Sequence, residues 1–374
     1  MQIRSTTRFL SQFTMGKDVA GREFLSLVTK ATYDFPEEPG GRPRRARVQR
    51  PLILADEYAG PPGLSPPLWE TDFGFRKRAC DVIAQGAAYA PGGQPAERVR
   101  VGLRVGDWVK QFDVVGPRQW RTLGPSITAT RPFPFTRLAF GYDTAFGGPD
   151  RSWQGDQPPV YADNPYGLGY AAARSGSRID GLDLPLTEDP ADPVTSPFGA
   201  HRPMALGPMP RVLPQRARLG GTYDDHWKDN VFPFLPADFD EAYYQAAPPD
   251  QQIPFPAPGT PVVIVGLTPR GREEFRLPDT TLPIRIFRGR QVPLDTTLSA
   301  DTLVFDTEAR QFTLSWRCDV PILRTIAEFS EAWVGPPSRA LARALAAGKP
   351  YRPLAPLRRA TAGDTAGDTA GDAA

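Results

Sequence analysis

Two histidines, His201 and His226, and two cysteines, Cys80 and Cys318, are the whole stock of imidazole and thiol in this sequence. Any Ser–His–acid or Cys–His nucleophile must be built on one of those histidines. No Gly-x-Ser-x-Gly word is present. Neither cysteine has a context that marks a reactive thiol: Cys80 precedes an apolar segment and Cys318 ends one, so both read as buried free thiols. A zinc site from Cys80, His201, His226 and Cys318 lacks the close paired spacings of such sites. The acids Asp143, Asp150, Asp156 and Asp163 lie in a Gly/Pro-rich stretch, too widely spaced for a calcium loop. They read as turn formers whose carboxylates bond nearby backbone. A glycosidase needs only two carboxyls about 5–10 Å apart, so a carbohydrate-active or other hydrolytic β-protein using an Asp/Glu pair stays open as the alternative. The glycine words Gly147-Gly148, Gly167-Leu168-Gly169 and Gly220-Gly221 lack the strand–helix frame of a phosphate-binding loop. Arg42, Arg44, Arg45, Arg47 and Arg50 form a basic run without interleaved aromatics. That reads as a solvated loop or a patch for an acidic protein partner, not a nucleic-acid site. No catalytic residue, metal or cofactor is indicated.

The elements that must position these residues are short. The chain has 374 residues, 40% hydrophobic and 23% charged, with 44 Pro and 35 Gly. That much Pro and Gly argues against long helices. Arg98–Val105 alternates strictly, with Val99, Val101, Leu103 and Val105 on one face, and Gly106-Asp107 suits a type II′ turn into Trp108–Val115. A second hairpin joins Thr302–Asp306 to Gln311–Cys318, placing Phe312, Leu314, Trp316 and Cys318 on one face. Further strands are expected over Glu23–Tyr33, Val48–Ala55, Asp81–Tyr89, Pro261–Leu267, Glu273–Leu277 and Pro283–Phe287. The expected fold is mainly β: antiparallel sandwich-like layers around a long irregular middle rich in Pro, Gly and aromatics, with a few short helices.

The middle, about 133–258, carries words separated by prolines. Two short helices are expected there: Asp224–Val231, capped by Thr222, and Phe239–Ala247, starting near Asp238. Trp153, Tyr161, Tyr166, Tyr170, Trp227, Tyr243 and Tyr244 are expected to order this stretch by packing. Leu323–Val334 fits helix or strand. One large β-rich domain is expected over residues 1–335, either undivided or as two packed β subdomains, about 1–130 and 131–335. A short helix follows within 336–350. The tail, 351–374, ends in three Thr-Ala-Gly-Asp copies and is expected to be disordered. The net charge of +2 gives no field to hold a polyanion. The first residues lack a secretory apolar core and no apolar run is long enough to span a bilayer, so a cytoplasmic location without membrane contact is expected.

Several of the words in the middle, in this order, resemble the bacterial domain of unknown function 2169 family. The clearest is Ala246-Ala247-Pro248-Pro249-Asp250-Gln251-Gln252, after Asp238-Phe239-Asp240. Upstream come Gly221-Thr222-Tyr223-Asp224 with Trp227, Ala145-Phe146-Gly147-Gly148, Asn164-Pro165-Tyr166-Gly167-Leu168-Gly169 and Gly207-Pro208-Met209-Pro210. Ala88-Tyr89-Ala90-Pro91-Gly92 and Gly116-Pro117-Arg118-Gln119-Trp120 extend the likeness, which runs from about Glu23 to Val320. Gln245 stands where the family leads one to expect Asn, and Leu184-Pro185-Leu186-Thr187-Glu188 replaces a Leu-Pro-Asn-Ile-Glu-like word.

The resemblance implies an adaptor or chaperone of the bacterial type VI secretion system. Its partners would be a secreted effector protein and the spike (VgrG/PAAR-type) proteins, and it brings no catalytic residue with it. An adaptor of this kind needs a partly apolar surface rich in aromatics. Tyr223, Trp227, Asp250, Gln251 and Gln252 are the candidate partner-binding residues. Gln251 and Gln252 fit an internal role, fixing their loop by hydrogen bonds, equally well. A further reading, an effector with its own activity near the C-terminus, finds little room for a toxin domain.

Overall fold

Residues of period two along Glu23–Asp34 split this strand between two environments. Leu25, Leu27, Ala31 and Tyr33 enter the apolar core, while Ser26, Lys30 and Thr32 point to the opposite side and are buried there too. The computed structural model describes residues 1–172, 178–289, 291–337 and 339–347. In it, Glu23–Asp34 lies inside a seven-stranded sheet. The sheet runs in the order Gln252–Ile253, Cys80–Gln85, Thr302–Asp306, Gln311–Pro321, Glu23–Asp34, Leu10–Lys17, and Arg44–Arg45 pairs with the far end of Glu23–Asp34. A five-stranded sheet has the order Thr187–Glu188, Trp108–Val115, Arg98–Val105, Pro261–Val265, Arg272–Arg276. A four-stranded sheet has the order Gln2–Ser5, Phe329–Val334, Thr281–Arg288, Leu294–Ser299.

One apolar cluster draws on all three sheets. Leu27, Phe312 and Trp316 come from the first, Val101, Phe112 and Phe275 from the second, and Ile284, Phe329 and Val334 from the third. Its rings are layered, with Phe312 against Tyr33 at 5.3 Å and against Phe275 at 5.4 Å between centroids. Burying each such ring contributes about 1.5–3 kcal/mol. The fold is therefore mainly β and largely antiparallel, as the alternation predicts. Among the described residues three strand pairings are parallel: Thr302–Asp306 with Cys80–Gln85, Gln2–Ser5 with Phe329–Val334, and the short Phe146–Gly147 with Leu168–Gly169.

The hairpin at Gly106-Asp107 forms with the expected bounds, and Gly106 alone of the two turn residues has positive φ, as a type II′ turn requires. The second hairpin also forms, and Gln311–Pro321 buries both faces: Phe312, Leu314, Trp316 and Cys318 on one, Thr313, Ser315 and Arg317 on the other. Asp81–Tyr89 is two strands, broken at Gly86, where φ is +143° and an added Cβ would strike Thr307 Oγ1. Leu323–Val334 resolves as a 3-10 turn followed by the strand Phe329–Val334.

Three expectations fail locally. Val48–Ala55 is no strand but a strap over the sheet: the Gln49 side chain brackets the backbone of Thr32, and the Pro51 carbonyl accepts from Lys30. The helix at Asp225–Asn230 is capped by Asp224, whose carboxylate accepts from Trp227 N at 2.8 Å, while Thr222 is engaged elsewhere. The helix expected over Phe239–Ala247 shrinks to a 3-10 turn, Glu241–Tyr244, capped by Asp240, because Gln245 and Ala246 are bonded to Asp81 instead. Arg339–Ala346 is helical as expected. The bounding Ser338 and Gly348 and the whole tail, 351–374, lie outside the described residues.

The irregular middle packs partly as expected. Trp120, Phe146, Ile179 and Leu184 form a small core of their own, joined by Tyr161 and Tyr170. Trp153 remains exposed. Both cysteines are free and buried. Burial pushes the Cys80 thiol far up and the Cys318 thiol up to about 12. Neither thiol is therefore expected to react with a thiol reagent in the native protein at neutral pH, and both should react after denaturation. Rapid labelling of the folded chain would contradict this burial.

Candidate functional site

The inner side of the largest sheet, away from the main core, is where charge collects. Lys30 donates to Asp72 at 2.7 Å, Lys77 to Asp81 at 2.5 Å, and Arg317 pairs with Asp301, all of them nearly inaccessible. Burial holds the Lys30 amine below its ordinary value even against the charge of Asp72. Beside these pairs opens a cleft of about 410 Å³, lined among others by Asp56, Glu70, Lys77, Arg211, Tyr244 and Arg317. Its two carboxylates are already occupied. Asp56 accepts from Arg211 at 2.8 Å and from the Thr71 amide, and Glu70 accepts from Arg211 at 2.6 Å and Arg216 at 2.5 Å. Burial acts to raise the Asp56 carboxyl, but the hydrogen bonds from Arg211 and Thr71 and the charge of Arg211 outweigh it and hold the group low. A general acid needs the opposite shift.

A depressed folded pKa has a defined consequence. Near pH 4 the unfolded chain binds more protons at this group than the native chain does. The stability that Asp56 contributes is present above the unfolded value of about 3.9 and is lost as pH falls through the lower folded value. Asp56→Asn should therefore flatten the acid limb of a stability–pH profile. An unchanged limb would remove the Asp56–Arg211 pair from the account.

Of the acids named in the middle, Asp150 serves a turn, and Asp163 instead accepts from the Gln215 side chain at 3.3 Å. Asp150 is buried, with Oδ1 accepting from the Ser152 amide and hydroxyl and Oδ2 from the Ala172 amide. His201 Nδ1 faces Asp192 at 3.1 Å, and its ring sits edge-on to Phe146. Among the described residues no group of three or more His, Cys, Asp or Glu side chains could hold a metal ion.

The candidate residues fall into two groups. Asp250, Gln251 and Gln252 belong to a bolt between sheets. Gln251 is fully buried: its Oε1 accepts from Lys110 at 2.7 Å, and its Nε2 donates to the carbonyls of Val82 and Leu206. It is a strut and presents nothing to a partner, the internal role that its type also allowed. Gln252 donates to the Ala247 carbonyl and pairs with Asp81 across the sheet. Asp250 is half-exposed but tied to Lys110 at 2.9 Å, and its carbonyl accepts from Trp108 Nε1. The whole word Ala246–Gln252 thus links the five-stranded sheet, the seven-stranded sheet and the middle. Gln251→Leu removes one of the two acceptors of the buried Lys110 ammonium, leaving Asp250, and takes a donor from the Val82 and Leu206 carbonyls, each lost bond costing about 0.5–1.5 kcal/mol. Chemical denaturation should show a loss within that range or larger, and a neutral result would contradict the strut role.

Tyr223 and Trp227 stand on a different object. The loop from Gly221 to Asp238 closes on itself. Thr222 donates through its amide and its hydroxyl to the Asp238 carboxylate, at 2.9 and 2.7 Å, which holds that carboxyl below its ordinary value. Gly221 adopts φ +84°, and an added Cβ would meet Pro236 and Asp238 within about 3 Å. Inside the loop Trp227 Nε1 donates to the Phe234 carbonyl at 2.9 Å. Tyr223 and Phe232 each set an edge against Trp227, at 4.7 and 5.6 Å. Tyr223 is 56%, Phe232 66% and Phe234 43% exposed. Tyr223 and Phe232 thus stand exposed against a half-buried Trp227, and the exposed Phe234 is tied to the same Trp through its carbonyl. Phe232 and Phe234 were missed as site residues by sequence reading. Their available signal was the Phe-Pro-Phe word beside a Trp in a Pro-flanked loop.

These features define a mainly β protein whose largest sheet carries a charge-lined cleft and a closed aromatic loop. The chain belongs to the family described as uncharacterized protein conserved in bacteria (DUF2169), whose model matches residues 20–317, well over half of its length. No curated protein and no solved structure matches it. Among the described residues no helix is long and apolar enough to cross a membrane.

Proposed function

We propose that this chain is a non-enzymatic adaptor, or chaperone, that binds an effector of the type VI secretion system and helps load it onto the VgrG/PAAR-type spike. The observation that supports this reading best is the closed loop of Gly221–Asp238, which presents Tyr223, Phe232 and Phe234 to solvent around a half-buried Trp227. Exposed apolar groups usually lie scattered, and a gathered aromatic set marks an interaction surface. Tyr and Trp dominate binding hot spots because they bury large areas with few rotors to freeze. The loop is closed by its own hydrogen bonds, so little ordering remains to be done when a partner arrives.

The charged cleft supports the same reading by what its groups already do. Asp56, Glu70, Asp72 and Asp81 each accept from a cation of the same chain. Such pairs fix the loops over the sheet and keep the docking face in shape. The test is co-expression with each effector and spike protein encoded beside this chain, followed by size-exclusion chromatography. Co-elution with an effector is expected. Failure with every one of them would count decisively against the adaptor role.

A further inference from the structure

Of the strands that end a sheet, Leu10–Lys17 is the longest and the least defended. It has eight residues, pairs only with Glu23–Asp34, and carries neither proline nor charge before Lys17. The other edges are short or guarded. Gln252–Ile253 and Thr187–Glu188 are two residues each, Gln2–Ser5 is four, and Arg272–Arg276 is built from Arg-Glu-Glu-Phe-Arg. In Leu294–Ser299, Asp295 is tied to Arg285. An open, uncharged edge about 26 Å long is a liability that proteins normally blunt. Keeping one invites strand addition, in which main-chain bonds give affinity and flanking groups give selectivity.

Both ends of this edge carry such groups. At the Lys17 end stands the aromatic loop: Lys17 Nζ lies 5.5 Å from the Phe234 ring centroid, and Gly21 is small enough to admit that ring. At the Leu10 end the edge passes to Arg44–Arg45, which pair with Asp34 and Tyr33 of the same inner strand. The Ala46 amide donates to the Thr32 carbonyl and continues that line. Arg44, Arg45 and Arg47 are exposed, and none forms an ion pair among the described residues. The nearby acid Asp34 is engaged by Gln311.

We infer that Leu10–Lys17 receives an extended segment of a partner protein as an added strand, with acidic residues at the Arg44–Arg47 end and an apolar or aromatic residue at the Trp227–Phe234 end. This rests on the binding role proposed above and names how the partner is held. The unpaired arginines choose an acidic partner, since opposed charges speed encounter and like charges exclude.

The probe is a fluorescein-labelled peptide alternating Val and Thr, with an aspartate run at one end and Phe at the other. It is titrated onto the full chain by anisotropy, with amide hydrogen exchange read in parallel. Binding is expected to weaken by roughly tenfold when the aspartates become lysines or when the protein carries R44E and R45E. The amides of Leu10–Lys17 should gain protection. The two Arg variants lie on the surface and leave the core intact, so loss of binding there does not report misfolding. Equal binding of the lysine peptide, or protection elsewhere, would overturn the inference. Concentration-dependent protection of Leu10–Lys17 without peptide would also overturn it, by making a second copy the occupant. If the peptide fails to bind while an effector still co-elutes, the edge inference falls and the adaptor reading stands.

Discussion

Asp81→Ala is expected to lower the free energy of unfolding by about 3–5 kcal/mol, the usual cost of removing one partner from a buried ion pair. Asp81 is fully buried in the strand Cys80–Gln85. One carboxylate oxygen accepts from Lys77 at 2.5 Å and from the Ala246 amide at 2.7 Å; the other accepts from Gln245 Nε2 at 2.8 Å. The substitution leaves the Lys77 ammonium buried without a counter-charge and two further donors without an acceptor. It also removes two of the bonds that hold the Gln245–Ala246 segment to the sheet, leaving those between Gln245 and the backbone of Arg78 and Ala79. Denaturant unfolding measures the loss. The paired replacement Lys77→Met with Asp81→Leu should recover part of it, because two apolar side chains carry no desolvation cost. A single variant as stable as the parent would show that Asp81 does not bind the middle of the chain to the sheet.

The second large effect is on binding. Replacing Tyr223, Trp227 and Phe232 together by Ala should weaken the effector complex by at least about a hundredfold, since each aromatic hot spot contributes about 2 kcal/mol or more. Stability should hardly change for Tyr223→Ala and Phe232→Ala, whose side chains are largely in solvent. Trp227→Ala also removes the bond to the Phe234 carbonyl, so it should loosen the loop as well. Surface plasmon resonance on an effector that co-elutes separates the two behaviours. An affinity indifferent to all three would move the docking face elsewhere.

Much of the fold was legible because strand period two is a strong signal wherever one face is apolar. Arg98–Val115 and Thr302–Cys318 were readable for that reason. Leu10–Lys17 was not, because its apolar residues, Leu10, Phe13 and Met15, do not alternate. Lys30, Asp72 and Arg317 were invisible as a cluster, since residues 30, 72 and 317 meet only after the sheet and its straps have formed. The same holds for Gln251, whose three partners come from Lys110, Val82 and Leu206. A sequence word marks such a residue without saying whether it faces inward. Tyr223 and Trp227 were readable as a pair because the loop that shows them is local, closed by Thr222 and Asp238 within one short segment.

Hydrogen exchange on the complex with a co-eluting effector tests the central claim most directly, because it reports which amides the partner shields. Slowed exchange across 221–236 is the result predicted for an aromatic docking loop. Protection confined to the cleft around Asp56 and Glu70, with 221–236 exchanging as in the free chain, would contradict it.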